Sequence, residues 1–212
     1  MRRLAILGAS GHGKVVAESA LAAGWQEVLF FDDAWPSKQA VGRVILRGDT
    51  KTLLKDASQF DGVVVAIGSN EVRLKKLSAL RQRGAVIVSI VHPAAIISPS
   101  ARLDAGSVVM AGAIVNADAI IGRGAILNTA CSVDHDCVLG QGVHISPGAR
   151  LAGSVQVGDR TWVGIGAVVR QGIQLGADVI VGAGSVVVKD VTAGHTVLGV
   201  SAKPLSEQPL IG

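Results

Sequence analysis

Residues 127–139 read LNTACSVDHDCVL, and within them Asp134, His135 and Asp136 crowd an acid on either side of an imidazole. A histidine titrates near neutral pH, and an adjacent carboxylate raises its basicity and fixes its tautomer, which suits a general base. The same triplet also suits a plain solvated turn. A second histidine, His144, follows nine residues later. Two further groups have chemistry-bearing spacing near the N-terminus. Gly8-Ala9-Ser10-Gly11-His12-Gly13 follows an apolar run and opens a helical pattern, so its backbone N–H groups and the helix dipole can cradle a phosphate. Its spacing is not the dinucleotide G-x-G-x-x-G, and a glycine-rich turn alone is weak evidence for a site. Asp32 and Asp33 end the next apolar run, where an acid reaches a ribose hydroxyl or a base. Together these features suggest a nucleotide held across the carboxyl ends of strands, with a nicotinamide dinucleotide as the rival ligand.

The elements that must position these residues change character along the chain. Up to residue 92, strands alternate with helices: a strand at 4–8, a helix at 14–24 closed by Gly24, a strand from 27 ending in Asp32-Asp33, a strand at 62–68, a helix starting near an Asn70 cap, and a last strand VIVSIV before His92-Pro93. That order implies a small parallel sheet of Rossmann-like type. After Pro93 a period of six takes over. Stepping from Ile97 to Val187, all sixteen positions are Ile, Leu or Val without an insertion. Four places on in each hexad the residue is usually small, and both cysteines, Cys131 and Cys137, fall in that row. They read as reduced core thiols. A strict hexad fits a solenoid with short flat faces and tight corners. A glycine directly after the aliphatic residue, as at Gly122, Gly140 and Gly158, is expected to relieve the turn.

Composition narrows the function classes. The 212 residues are 49% hydrophobic but only 3% aromatic, with 27 glycines, so the core is expected to consist of small aliphatic side chains. A net charge of +4 favours an anionic partner, yet Lys and Arg are scattered and no basic run is interleaved with aromatics. Small phosphorylated ligands fit better than nucleic acid. No apolar run approaches the roughly 20 residues that span a bilayer, and the opening MRRLAILGASGHG breaks into glycines too early for a signal peptide. A cytoplasmic protein with no membrane insertion is expected.

The hexads resemble the hexapeptide-repeat left-handed parallel β-helix, a fold typically found in trimers and most often in acyltransferases using acetyl-CoA or a related thioester. The left hand is implied by that resemblance alone, since the general rule for parallel crossovers gives the opposite. In that fold three hexads make one coil, so the resemblance implies that residues eighteen apart stack. His135 then lies between Ala117 and Gly153 and points outward, while His144 lies between Ile126 and Trp162 and is enclosed. The two histidines occupy different faces of one chain, so they share a pocket only if a neighbouring subunit supplies one of them.

Taken with GASGHGKVV, FDD, AIGSN and VLGVSAKPL, the stretch NTACSVDHDCVLGQGVHISPGARLAGSVQVGDRTWVGIGA resembles the family that N-acetylates nucleotide-linked 4-amino-4,6-dideoxy sugars, of the bacillosamine and perosamine type. The resemblance implies a nucleotide-sugar-binding α/β domain at 1–92 and an acetyl-CoA-binding β-helix at 93–212. It makes His135 the base, tuned by Asp136, although some members carry Glu at that place. It makes His144 an acetyl-CoA contact, Gly153 an amide donor to the thioester oxygen, and Ile165 and Ala183 contacts of the pantetheine arm, where simple corner packing is the alternative. Ser10, Gly11, His12, Asp32, Asp33 and Gly68 would hold the nucleotide-sugar, with Asn128 near the reacting groups; His12 also suits a helix start touching only solvent. Direct transfer is expected, because no Ser or Cys nucleophile stands beside the outward histidine. No metal is expected, and UDP is the preferred nucleotide. Three rivals stand beside this reading: sugar or sialic-acid O-acetylation, a zinc hydratase of the same fold using Asp134, His135, Asp136 and His144, and a non-catalytic solenoid, which would be expected to show regular outward ladders of one residue type.

Overall fold

A computed structural model describes residues 2–41, 44–200 and 203–204. Ser201, Ala202 and Leu205 of the VLGVSAKPL motif, and the rest of the chain to residue 212, lie outside the described residues.

The head is built on three short, mostly apolar runs: β1 (Arg3–Leu7), β2 (Glu27–Phe31) and a strand at Gly62–Val65. Between the last two lie Ala40–Val41 (β3), Val44–Gly48 (β4) and the helix Thr50–Asp56 (α2), so Gly62–Val65 is β5. The sheet order is β3-β4-β2-β1-β5, parallel except for the β3-β4 edge. The first helix, α1, spans Gly11–Ala22, starting earlier than the apolar pattern suggests. Gly13 allows this, because a Cβ there would strike the Gly8 carbonyl oxygen. Gly24 closes the helix at φ +88°, its N–H donating to Leu21 O at 3.0 Å. Helix α3 spans Asn70–Gln82 with Ser69 as its N-cap residue, so Asn70 is helical and its amide is free for another use.

The expected strand VIVSIV is divided between the two sheets. Ile87 makes a single bridge to Val63 in the head, whereas Ile90–Val91 (β6) pairs with Val108–Val109 of the coil. The chain has crossed from one sheet to the other within three residues.

Beyond β6, each of the sixteen hexad aliphatics is the second residue of a two-residue strand, from Ile96–Ile97 to Val186–Val187. Registers such as Ile114↔Ser132↔Arg150 and Ile126↔His144↔Trp162 confirm eighteen residues per coil, and the strands gather into three sheets of a left-handed β-helix. Side chains from Val109 to Val187 fill the prism, and both cysteines are fully buried in the small-residue row. Desolvation pushes the Cys131 thiol up to about 12, which keeps it protonated and unreactive.

The turn geometry differs from expectation. Left-handed backbone falls three places after every hexad aliphatic from Leu103 to Val181, at Gly124, Gly142 and Gly166 but also at Ala130, Asp136 and Ser154. The glycines directly after the aliphatics serve close approach between coils: a Cβ on Gly122 would lie 2.6 Å from the backbone of Gly140. Stacked rungs sit about 4.8 Å apart, which leaves no space there for a methyl group.

The head docks on the coil in two places. One face of its sheet, with α1, continues into coil residues Val108, Met110 and Ile126 as one core. Helix α3 rests on glycine corners, where a Cβ on Gly124 would lie 2.6 Å from Leu77 Cδ1 and one on Gly142 2.8 Å from Leu74 Cδ1. Gly142→Ala therefore carries both left-handed strain and a clash with α3, at a cost of about 1–3 kcal/mol. Gly172→Ala, also left-handed but with nothing within 4 Å of its Cβ, carries only the strain. Chemical denaturation should find Gly142→Ala the less stable; equal stabilities would remove α3 packing as the reason for glycine at 142.

Candidate active site

His135 stands at a corner of the prism with its side chain 58% exposed. Its Nδ1 lies 2.7 Å from Asp136 Oδ2, and the carboxylate leaves Nδ1 as the protonated nitrogen and Nε2 as the free acceptor. Asp136 reaches it from left-handed backbone at φ +58°, a conformation Asp tolerates better than most residues. The hydrogen bond that His135 donates to Asp136 raises the imidazole pKa above its ordinary value. Asp134 turns the other way, accepting from Asn116 Nδ2 and from the His135 N–H, each at 2.8 Å, and the Asn116 bond lowers its pKa. Of the two flanking acids, Asp136 is therefore the one that orients the ring.

One coil above, Gly153 makes room for that ring. A Cβ there would lie 2.5 Å from both His135 Cε1 and Nε2. The backbone at 153 is not left-handed, so the glycine answers a need for space and not for φ. Its carbonyl accepts from Gly172 and its neighbour Ser154 donates to His135 O at 2.8 Å, while the Gly153 N–H finds no backbone acceptor among the described residues. A bare amide donor thus sits at the level of the free imidazole nitrogen.

His144 has the opposite surroundings. It is 7% exposed, stacked on Trp162 with ring centroids 4.9 Å apart and planes 15° from parallel. Asn128 Oδ1 accepts from the Thr129 N–H at 2.8 Å, so its Nδ2 faces His144 Nε2 at 3.3 Å as the donor. That contact assigns the proton of His144 to Nδ1, which is buried and has no partner. Burial, then the positive charge of Arg73, lowers its pKa to about 3. Trp162 donates to Ser146 Oγ at 2.7 Å, fixing the indole over the imidazole. Beside this stack runs an apolar groove of about 570 Å³, lined by Asn128, His144, Trp162, Ile165, Ile180 and Ala183. Trp162, Ile165 and Ile180 are 41%, 57% and 48% exposed there, an apolar strip open to solvent.

A second cavity, about 270 Å³, opens at the carboxyl ends of β1, β2 and β5, lined by Gly8, Ser10, Asp32, Asp33, Gly68 and Lys76 among others. Gly8 bends the chain here at φ +113°, and a Cβ would lie 2.6 Å from Ala66 O. Asp32 is engaged by the loops themselves, accepting from the Ala9 and Ala34 N–H groups at 2.7 and 2.9 Å. For Asp33, partial desolvation is outweighed by hydrogen bonds from Lys76 (2.7 Å) and the Thr50 N–H (2.9 Å), which bring it down to about 2.

Four of the residues expected in the head site line this cavity: Ser10, Asp32, Asp33 and Gly68. Gly11 is exposed at the first turn of α1 and is not part of its wall. His12 does not touch solvent through its ring nitrogen; Nε2 is buried without a partner, and burial followed by Arg73 lowers its pKa to about 4. On the coil, His144, Asn128, Ile165 and Ala183 share one groove, whereas His135, Asp136 and Gly153 form a separate corner. Sequence reasoning did not assign a role to Lys76, Trp162, Asn116 or Arg73. Trp162 and Asn116 carry a signal, since each lies eighteen residues from a chosen residue. Lys76 and Arg73 lie in a helix rich in basic residues and carry none.

Residues 3–80 match the model of the PglD N-terminal domain, and residues 154–189 that of the bacterial transferase hexapeptide repeats. The acetyltransferase domain of PglB from Neisseria gonorrhoeae FA1090, solved with acetyl coenzyme A, is 43% identical with a TM-score of 0.92, over 96% of this chain and 99% of that one. The chain belongs to this acetyltransferase family. PerB from Caulobacter crescentus, solved with CoA and GDP-perosamine, is 43% identical with a TM-score of 0.91, over 96% of this chain and 97% of that one. WeeI from Acinetobacter baumannii AYE follows at 28% identity and 0.88, over 97% of this chain and 100% of that one. Family membership makes the protein an acetyltransferase of the sugar N-acetyltransferase group. Among the described residues no three His, Cys, Asp or Glu side chains gather as a metal site, and no helix is long and apolar enough to cross a membrane.

The buried histidines set a pH dependence. Unfolded, each binds a proton as pH falls below about 6.5; folded, His12 and His144 resist until about 4 and about 3. Stability is therefore fully present above about 6.5 and is lost as pH falls toward 4, by up to about 1.4 kcal/mol per pH unit for each group. Urea titrations between pH 7 and 4.5 should show a shallower loss in His144→Gln than in the unsubstituted protein; identical slopes would contradict the assignment.

Proposed function

We propose that the protein transfers the acetyl group of acetyl-CoA to the 4-amino group of a nucleotide-linked 4-amino-4,6-dideoxy sugar, with His135 as general base. The observation that carries this reading is the His135 corner. There an exposed imidazole keeps Nε2 free because Asp136 occupies Nδ1, and the unpaired Gly153 amide stands next to it. As the amine forms its bond to the acetyl carbon and the carbon–sulfur bond breaks, the amine proton passes to His135 Nε2. Charge gathering on the carbonyl oxygen meets the Gly153 N–H, and the CoA sulfur leaves to be protonated.

The apolar groove beside His144 and Trp162 fits the pantetheine arm of acetyl-CoA, with Ile165 and Ala183 along it; its aliphatic walls and stacked rings suit a long, largely uncharged chain. The head cavity suits the nucleotide-sugar, with Ser10 and the α1 N-terminus toward the diphosphate, Asp32 and Asp33 toward the nucleoside and Gly68 at its border. In this reading residues 1–92 serve the sugar nucleotide and 93–212 the acetyl donor. His135 and His144 lie half a coil apart on different faces, so a complete site takes the corner of one chain and the groove of its neighbour. A homotrimer supplies that arrangement. We place the enzyme in the cytoplasm, where activated sugars and acetyl-CoA meet.

Three experiments test the reading. Supplying acetyl-CoA with UDP-, GDP- and dTDP-linked 4-amino sugars and measuring product mass should give an N-acetyl product, fastest with UDP; a product only from hydroxyl acceptors would make the enzyme an O-acetyltransferase. His135→Ala should lower turnover by roughly 10²-fold or more in an intact oligomer. The base works above its own pKa, which Asp136 raises, so the rise of activity with pH lies above about 6.5. Asp136→Asn, which keeps the left-handed turn, should move that rise to lower pH; an unmoved profile would disconnect Asp136 from the base.

A further inference from the structure

Between the head cavity and the coil lies a guanidinium with no acidic partner. Arg73, in the first turn of α3, is 1% exposed, and among the described residues no carboxylate pairs with it. Its five contacts go to oxygens on both sides of the domain junction. Nη1 donates to Ile67 O at 2.9 Å and Gly68 O at 3.1 Å, on the wall of the head cavity. Nε donates to Gly124 O at 2.7 Å and Nη2 to Gly142 O at 2.8 Å, both at coil corners, and Nη2 also to Asn70 Oδ1 at 2.8 Å. Asn70 in turn donates to Arg160 O at 2.7 Å, one coil higher.

Burying an unpaired cation is costly, so a fold keeps one only where its geometry is needed. If the need were adhesion alone, the apolar contacts of Leu74 and Leu77 with the same corners would serve it. What those contacts cannot do is fix a loop backbone at hydrogen-bond precision. Arginine can, because its planar fork carries five donors in set directions; lysine has three donors on a single nitrogen.

We propose that Arg73 is a positioning residue: it holds the Ile67-Gly68 wall of the head cavity in register with the coil corners at Gly124 and Gly142, and so sets where the bound substrate lies relative to the acetyl-transfer corner. The inference rests on reading the head cavity as the nucleotide-sugar site. Arg73 also acts electrostatically on His12 and His144, the two imidazoles that lie near the same junction, disfavouring a proton on either. The Gly142 carbonyl it holds is two residues from His144, so the contact ties the cavity wall to the strand that carries the groove.

The test uses the full-length protein with Arg73→Met, Arg73→Lys and Asn70→Ala, each checked for unchanged oligomeric state and assayed well below its unfolding temperature. Arg73→Met should raise KM for the nucleotide-sugar by about tenfold or more, in line with the penalty for ångström-scale misplacement, and leave acetyl-CoA affinity within about threefold. Arg73→Lys, which keeps the charge but not the fork, should resemble Arg73→Met more than the unsubstituted enzyme. A purely structural role would lower thermal stability and leave KM unchanged, so a folded Arg73→Met with KM within about twofold of the parent overturns the proposal. If Arg73→Met does not fold, Asn70→Ala decides: it spares the cation and removes its brace, and a KM for the nucleotide-sugar raised about threefold supports positioning while an unchanged one refutes it. Calorimetric titration of the parent and variants with UDP, GDP and dTDP reads the cavity without turnover. Loss of acetyl transfer in the parent with nucleotide binding intact would therefore count against the proposed reaction alone. Equal nucleotide affinity in parent and variants would count against Arg73 alone.

Discussion

The spacing between stacked coils governs this molecule. With about 4.8 Å from rung to rung, each residue's nearest foreign neighbour is the one eighteen places on, and its size and polarity decide what the first can be. Where two coils must touch backbone to backbone, as at Gly122 and Gly140, no side chain fits. Some polar turn residues bond to the one stacked above them, as Arg160 does with Asp178 at 2.6 Å and Asn116 with Asp134 at 2.8 Å. His135 obeys the same constraint. Its ring can stand out from the corner because the residue one storey up is glycine.

The fold then places histidines in two opposed environments. His135 is open to water and bonded to a carboxylate, which stabilises its protonated form and raises its pKa. His144 and His12 are buried near a cation, and both effects favour the neutral ring. An imidazole that accepts protons and one that shapes an apolar groove are the same residue type divided by solvation. The thiols follow the same logic: buried in the prism, Cys131 stays protonated far above neutral pH.

Head and coil are joined as one body and not by a linker. The core under α1 runs into Val108, Met110 and Ile126, α3 sits on bare glycine corners, and the guanidinium of Arg73 holds carbonyls from both sides. Only the first rungs of that coil face are covered. The next ones, carrying His144, Trp162 and Ile180, are left as the open groove. The wall of the head cavity is thereby held at a fixed offset from the groove.

By itself the sequence determined the solenoid. Sixteen aliphatics at one period of six call for short flat faces and tight corners, while the three hexads per coil and the left hand came from the family resemblance; once residues eighteen apart are stacked, as the strand registers show, the Gly153 neighbour of His135 and the Ile126 and Trp162 neighbours of His144 follow. The alternating head was legible for the same reason, because buried parallel strands read as short apolar runs, although the strand at Val44–Gly48 and helix α2 carried too weak a pattern to be assigned. Tertiary structure alone decided the rest. The resemblance names Asp136 as the acid beside His135, but the left-handed turn that brings its carboxylate to the ring appears only in the fold, and that His12 turns inward depends on how the head sits on the coil. Arg73 looks like any basic residue of a charged helix, because the oxygens that hold it belong to backbone, and backbone acceptors leave no mark in a sequence until folding brings them together.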